Sequence, residues 1–181
     1  MRQTLKLHPD SRCSAITQIE VVLARPQASV LLLSYRATGA IGDLRIPSIV
    51  AAARADELWR HTCFEAFVRP NASGEVYYEF NFAPSTQWAA YAFDGYRSGM
   101  RVAADVGEPQ IVVNAGREIM TLQASLDLDG LRLPGRAPWR LGLSAVIEEA
   151  NGRKSYWALA HPPGKPDFHH ADCFALELSN G

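Results

Sequence analysis

A chain of 181 residues, 48% hydrophobic and 20% charged, is long enough to bury one substantial core, and nothing in its length requires a second. Its formal net charge of -1 and isoelectric point of about 6.5 supply no basic field, which sets aside nucleic acid and anionic membrane surfaces as partners. The first residues lack the apolar core of a secretory leader, and no run approaches the roughly 20 apolar residues of a membrane span. Cys13, Cys63 and Cys173 are odd in number and widely spaced, so free thiols in the cytoplasm are the expectation.

In chain order, residues 19–23 and 29–36 read as strands, the second apolar almost throughout, as for a strand buried on both faces. Residues 37–46 carry Gly39 and Gly42 and end in a short strand, and 48–58 is either a helical turn or a loop. Residues 63–68 and 77–82 then alternate strictly. Phe64, Ala66 and Val68 share one face and Glu65 takes the other; Tyr78, Phe80 and Phe82 oppose Glu79 and Asn81. The Pro, Asn and Gly cluster over 69–75 closes them into a hairpin. Centred near Ala72, that hairpin sets Glu65 across from Glu79, with Asn81 next along the same face. Further strands follow at 88–93, 110–114, 118–128, 139–148, 155–161 and 173–178. Turn clusters separate them at Asp94-Gly95, Asn114-Ala115-Gly116, Leu133-Pro134-Gly135 and Asn151-Gly152. The pattern predicts an all-β, single-domain β-sandwich over 1–181, jelly-roll or immunoglobulin-like, with roughly ten strands. An α+β rival rests on 47–60 alone.

Two carboxylates opposed on one sheet face repel by about 0.2 to 1 kcal/mol. A solvated outer face or a pocket tolerates that. Three clusters around this hairpin mix aromatic plates with short polar groups: 56–65, 78–97 and 156–169. The combination suits a sugar, because rings stack on the apolar face of a pyranose while carboxylates and amides take its hydroxyls. On this reading Trp59, Trp157 and Trp88 are stacking plates, and Glu65, Glu79 and Asn81 hold hydroxyls. Arg97 is a charge partner that keeps the carboxylates ionised, and His161, Asp167 and His169 complete the ligand-binding set. The plain alternative is that the rings fill core and the carboxylates anchor backbone.

Other chemistries fare less well. Glu65 and Glu79 are eligible as a glycosidase pair, whose members stand about 5 to 10 Å apart, yet the chain is short for a cleft built from long loops, and no catalytic residue is assigned. His161, Asp167, His169 and His170 form a metal-like concentration, but the stiff Pro162-Pro163-Gly164-Lys165-Pro166 loop and the Lys165 charge oppose a metal. No GxSxG elbow, P-loop or GxGxxG occurs.

Three stretches carry a resemblance to a known family. They are residues 59–67; Tyr78-Glu79-Phe80-Asn81-Phe82-Ala83-Pro84 with Trp88-Ala89-Ala90-Tyr91 and Tyr96-Arg97; and Tyr156-Trp157-Ala158-Leu159 with Lys165-Pro166-Asp167-Phe168-His169. Together, over about residues 31–178, the chain resembles a bacterial subgroup of the DOMON-like β-sandwich domains, which are related in fold to family 9 carbohydrate-binding modules. The resemblance implies a sandwich whose relatives bind sugars or haem at one face, and it brings no catalytic residues. Haem-binding relatives use a Met and a His as axial ligands, for which Met100 with His161 or His169 are the donors here. The preferred reading is a non-catalytic binder of a small polar ligand, a carbohydrate, with no cofactor; a haem- or metal-binding redox domain is the alternative.

Overall fold

The computed structural model describes residues 1–70, 74–134 and 137–179. Among these, every named strand pairing is antiparallel and no α-helix occurs. The strands are β1 (Arg2–Leu7), β2 (Ile16–Gln27), β3 (Val30–Gly39), β4 (Cys63–Arg69), β5 (Tyr77–Phe82) and β6 (Trp88–Phe93), then β7 (Arg101–Val102), β8 (Gln110–Ala115), β9 (Ile119–Asp127), β10 (Trp139–Glu148), β11 (Lys154–Ala158) and β12 (Leu176–Leu178). They form one sheet in the order β7-β6-β5-β4-β10-β11-β1-β2-β3-β9-β8, with β12 on the start of β10. The sheet curls on itself, so that its two halves enclose one core as the layers of a sandwich do.

The two halves have different burial because only one of them is covered on both sides. In β2, β3 and β9 burial alternates along the strand, with Ile19, Val21, Leu23, Leu31, Leu33 and Tyr35 turned into the core. The other half supplies Phe64, Ala66, Phe80, Phe82, Leu143 and Ala145 to the same core. Its reverse face carries a second apolar cluster of Phe67, Tyr77, Tyr91, Phe93 and Val146, roofed by Phe168 and Phe174 from the segment after β11. Hence β4 and β6 are buried along nearly their whole length.

Several local expectations are corrected. The apolar run in β3 is covered on one face only, and Leu32 is 38% exposed. Of the two readings of 48–58, the loop holds for residues 48–57. They run extended past the start of β6, where the Ala55 N–H donates to Trp88 O and the Trp88 N–H to Ala53 O, and a 3-10 turn follows at Leu58–Arg60. No strand forms at the end of 37–46; a 3-10 turn at Ile41–Asp43 and one bridge at Leu44 stand there. β1, absent from the sequence reading, joins the two halves by pairing with β11 and β2. The predicted turn residues 71–73 and Gly135 lie outside the described residues. All three cysteines are free thiols.

Glu149 fastens the two halves together just beyond β10. Its Oε1 accepts from the Ser14 N–H at 2.8 Å, the Ser14 hydroxyl at 2.7 Å and the Ala15 N–H at 2.9 Å, and its Oε2 accepts from Arg153 Nε. The Arg153 bond, with those from Ser14 and Ala15 and against the cost of burial, holds the carboxyl down to about 2. A depressed folded-state value gives stability that is full above the unfolded value of about 4.3 and is lost as pH falls through the folded one. Urea titrations between those limits should therefore show falling stability for the parent, and a shallower fall for Glu149→Gln.

Candidate functional site

The reverse face of the β4–β5–β10 half carries the site. Alternation places Glu65 of β4, Tyr77, Glu79 and Asn81 of β5, and Ser144 and Val146 of β10 on that one face, because paired residues share a face and Ser144 pairs with Glu65. The register differs from expectation. Glu65 pairs with Asn81, and Glu79 pairs with Phe67. A shift of two residues keeps every side chain on its face, but it moves the carboxyls from direct opposition to the diagonal and puts an amide between them. Asn81 uses the position: its Nδ2 donates to Glu79 Oε1 at 2.7 Å, while the Cys63 thiol points at its Oδ1 at 3.7 Å.

This face is neither solvated nor filled. Glu65, Glu79 and Asn81 are 2%, 4% and 0% exposed, and the two carboxyls line a cavity of about 340 Å³. Trp59, Phe93, Tyr156 and Phe168 supply its aromatic wall, with Met100, Val146 and Pro166 between them, and Arg97 and His169 complete the polar part.

Each wall residue is held by an identifiable device. Trp59 sits on the 3-10 turn entered through Glu57 in a left-handed conformation (φ 61°). Its ring meets Tyr91 edge-on at 5.7 Å, and the Tyr91 hydroxyl donates to Asp56 Oδ1 at 2.6 Å. Arg97 also has positive φ, 51°, in the turn closed by the Gly95–Ser98 bridge. A non-glycine residue there is strained, and the Asp167 carboxylate holds it. Arg97 donates from Nε at 3.2 Å and Nη2 at 2.8 Å to Asp167 Oδ1, while the Tyr96 hydroxyl takes Asp167 Oδ2 at 2.5 Å. The same Asp167 Oδ1 accepts the His169 N–H at 3.1 Å. Asp167 thus positions the loop, and it does not line the cavity.

His169 is fixed by a short relay. The Arg97 N–H donates to the Tyr77 hydroxyl at 3.2 Å, and Tyr77 in turn lies 2.8 Å from His169 Nδ1. The Tyr77 O–H has no other acceptor among the described residues, so it is assigned as donor, which makes Nδ1 an acceptor and leaves the proton on Nε2. Nε2 stands 3.7 Å from Glu79 Oε2, beyond hydrogen-bond range. Burial first, then the Arg97 charge, push His169 down to about 4, so the ring is neutral. Burial moves the carboxyls the other way. Glu65 is pushed well above the usual carboxylate range by desolvation and then by the Glu79 charge, with the Ser144 hydroxyl pulling it back from 3.2 Å. Glu79 is raised to about 7 by desolvation, against the pull of Asn81 and Arg97.

Not every predicted residue comes to this place. Trp88 and Trp157 belong to the core between the sheet halves, on the opposite face from the carboxyls: Trp88 pairs with Phe82, and Trp157 with Ala145. The stacking expectation for both is corrected by strand alternation. His161 lies apart from the cavity, with Nε2 on Lys6 O at 2.8 Å and its ring edge-on to His8 at 4.8 Å. Arg97 acts as a charge partner for Glu79 alone: it pulls that carboxyl down without offsetting burial, while its guanidinium is bonded to Asp167. Of the two donor pairs expected for a haem, Met100 and His161 do not share the cavity, whereas Met100 and His169 both line it, with His169 Nδ1 bound to Tyr77 and Nε2 facing Glu79 Oε2 at 3.7 Å. Among the described residues, no three His, Cys, Asp or Glu groups converge as for a metal ion.

Tyr77, Ser144 and Val146 lie outside the three predicted clusters, and Phe93 and Tyr156 lie within them without a role assigned from the sequence. Period-two alternation from Glu79 points to Tyr77. Ser144 and Val146 enter only through the β4–β10 pairing, which no local signal announces.

No protein-family model and no curated protein matches the chain. Solved structures resemble it. A candidate carbohydrate-binding protein from Bacteroides uniformis ATCC 8492 superposes with a TM-score of 0.71 at 16% identity, covering 100% of this chain and 86% of that one. A family 9 carbohydrate-binding module from Caldicellulosiruptor kristjanssonii, solved with cellotriose, superposes with a TM-score of 0.54 at 9% identity, covering 91% of this chain and 74% of that one. At these identities the likeness is one of fold.

Proposed function

We propose that this chain is a non-catalytic carbohydrate-binding domain of the DOMON-like and family 9 kind, which seats a sugar ring in the cavity beside Glu65 and Glu79. The observation that supports the reading is the combination of wall chemistries. Two buried carboxyls each leave one oxygen without a hydrogen-bond donor, His169 presents an Nε2–H, and Trp59 and Tyr156 add apolar aromatic surface to the same cavity. Sugars need both, since each ring carries apolar C–H faces and a rim of hydroxyls. The cavity volume lies at the small end of ligand pockets, about 300 to 1,000 Å³, which suits one ring or a chain end. The fold likeness to a module solved with cellotriose agrees with this.

The placing of the carboxyls supports binding over catalysis. A glycosidase needs its two carboxyl groups flanking the scissile bond, whereas Glu65 and Glu79 project from neighbouring strands on one wall. A glycan array followed by calorimetry tests the proposal: a sugar retained by the parent and lost on Trp59→Ala is expected. An array on which no glycan binds the parent overturns it.

A further inference from the structure

The cavity holds more acid than base. Its one guanidinium, Arg97, is spent on Asp167, its histidine is neutral, and no lysine lines it. Glu65 Oε2 accepts from Ser144, leaving Oε1; Glu79 Oε1 accepts from Asn81, leaving Oε2 with only His169 Nε2 at 3.7 Å. Two carboxyls, each more than nine-tenths buried, thus present unpartnered oxygens to one space, and the remaining wall includes four aromatic rings. Among the described residues Arg97 alone lines the cavity with a positive charge, and its guanidinium is bonded to Asp167.

We infer that the sugar bound here carries a primary ammonium group, as an amino sugar does, with its N–H groups on Glu65 Oε1 and Glu79 Oε2. The inference rests on the sugar-binding reading above and narrows it. An ammonium is the complement that the wall lacks: charge-assisted hydrogen bonds to carboxylates are roughly twice as strong as neutral ones, and aromatic faces attract a cation further. Burial holds both carboxyls toward their protonated forms, so an ammonium binds as they release their protons, and its charge offsets the cost of ionising them in the dry cavity. A quaternary ammonium has no N–H for the two free oxygens. A uronate or sugar phosphate would bring a further negative charge against them.

Calorimetric titration of the full chain with D-glucosamine against D-glucose, and D-galactosamine against D-galactose, tests this, because each pair differs only in the C2 substituent. Within at least one pair the amino sugar is expected to bind tenfold or more tightly, about 1.4 kcal/mol. Glu65→Gln and Glu79→Gln should bring that pair close to parity. Because the first comparison uses unmodified protein, it stands even where a variant folds poorly. Equal binding within each pair overturns the ammonium and leaves the sugar site in place. Binding of no sugar at all, there or on the array, overturns the sugar site itself.

Discussion

Trp157→Ala is expected to destabilise the fold by about 3 to 5 kcal/mol, the usual cost of removing a large buried aromatic side chain. For a chain of this size that corresponds to a fall in Tm of about 6 to 20 °C. Trp157 is 4% exposed in the core between the sheet halves, and its indole N–H donates to the Ser155 hydroxyl at 3.0 Å. Collapse around the vacated volume is limited by β1 and β10, which flank β11 on either side. Trp88→Ala belongs to the same class, since Trp88 packs in that core too. Trp59→Ala is expected to behave in the opposite way. Its half-buried ring lies over the cavity from a 3-10 turn, so stability should move by less than about 1 kcal/mol while sugar binding is lost. Thermal melts and titrations on the three variants separate core from wall. A Trp157→Ala protein that melts normally yet fails to bind would return Trp157 to the site.

The second large effect is a pH dependence carried by the buried carboxyls. Both Glu65 and Glu79 have folded-state values above the unfolded value of about 4.3, so over the interval between them the native state binds protons that the unfolded chain has released. Their contribution is therefore full below about 4.3 and is lost as pH rises through the folded values, of which that of Glu79 is about 7. The loss is at most about 1.4 kcal/mol per pH unit for each group. Glu65→Gln keeps the Ser144 contact with an uncharged group of the same shape, and should gain on the parent steadily from acid to mildly alkaline pH. Denaturant unfolding at several pH values measures that difference. Parallel curves for parent and variant would mean that the carboxyls reach solvent and that the cavity is not as described.

Local alternation made much of this legible. It placed Glu65, Glu79 and Asn81 on one face of β4 and β5, and it gave the limits of β6 and β10 as they stand. The same rule carried through the 83–87 turn assigns Trp88 to the face of Phe82, its partner. Reading each Trp as a plate, by chemistry alone, overrode that geometry. The hairpin register was off by two residues, which period two cannot detect because the faces are unchanged. What remained illegible is non-local. Ser144 and Val146 reach the site through a pairing across about 80 residues of sequence, and the Asp167–Arg97 contact that seats His169 joins two loops 70 residues apart. The burial of the carboxyls depends on that roof, so their raised titration could not be read from β4 and β5 themselves.

The most direct measurement is the affinity of one array-identified sugar for the parent and for Glu79→Gln, titrated at a pH where both melt normally. A hydrogen bond from ligand to a buried carboxylate is worth about 1.5 to 3 kcal/mol, so the variant should bind roughly 10 to 150 times more weakly. Unchanged affinity in a folded Glu79→Gln protein would place the sugar somewhere other than this cavity.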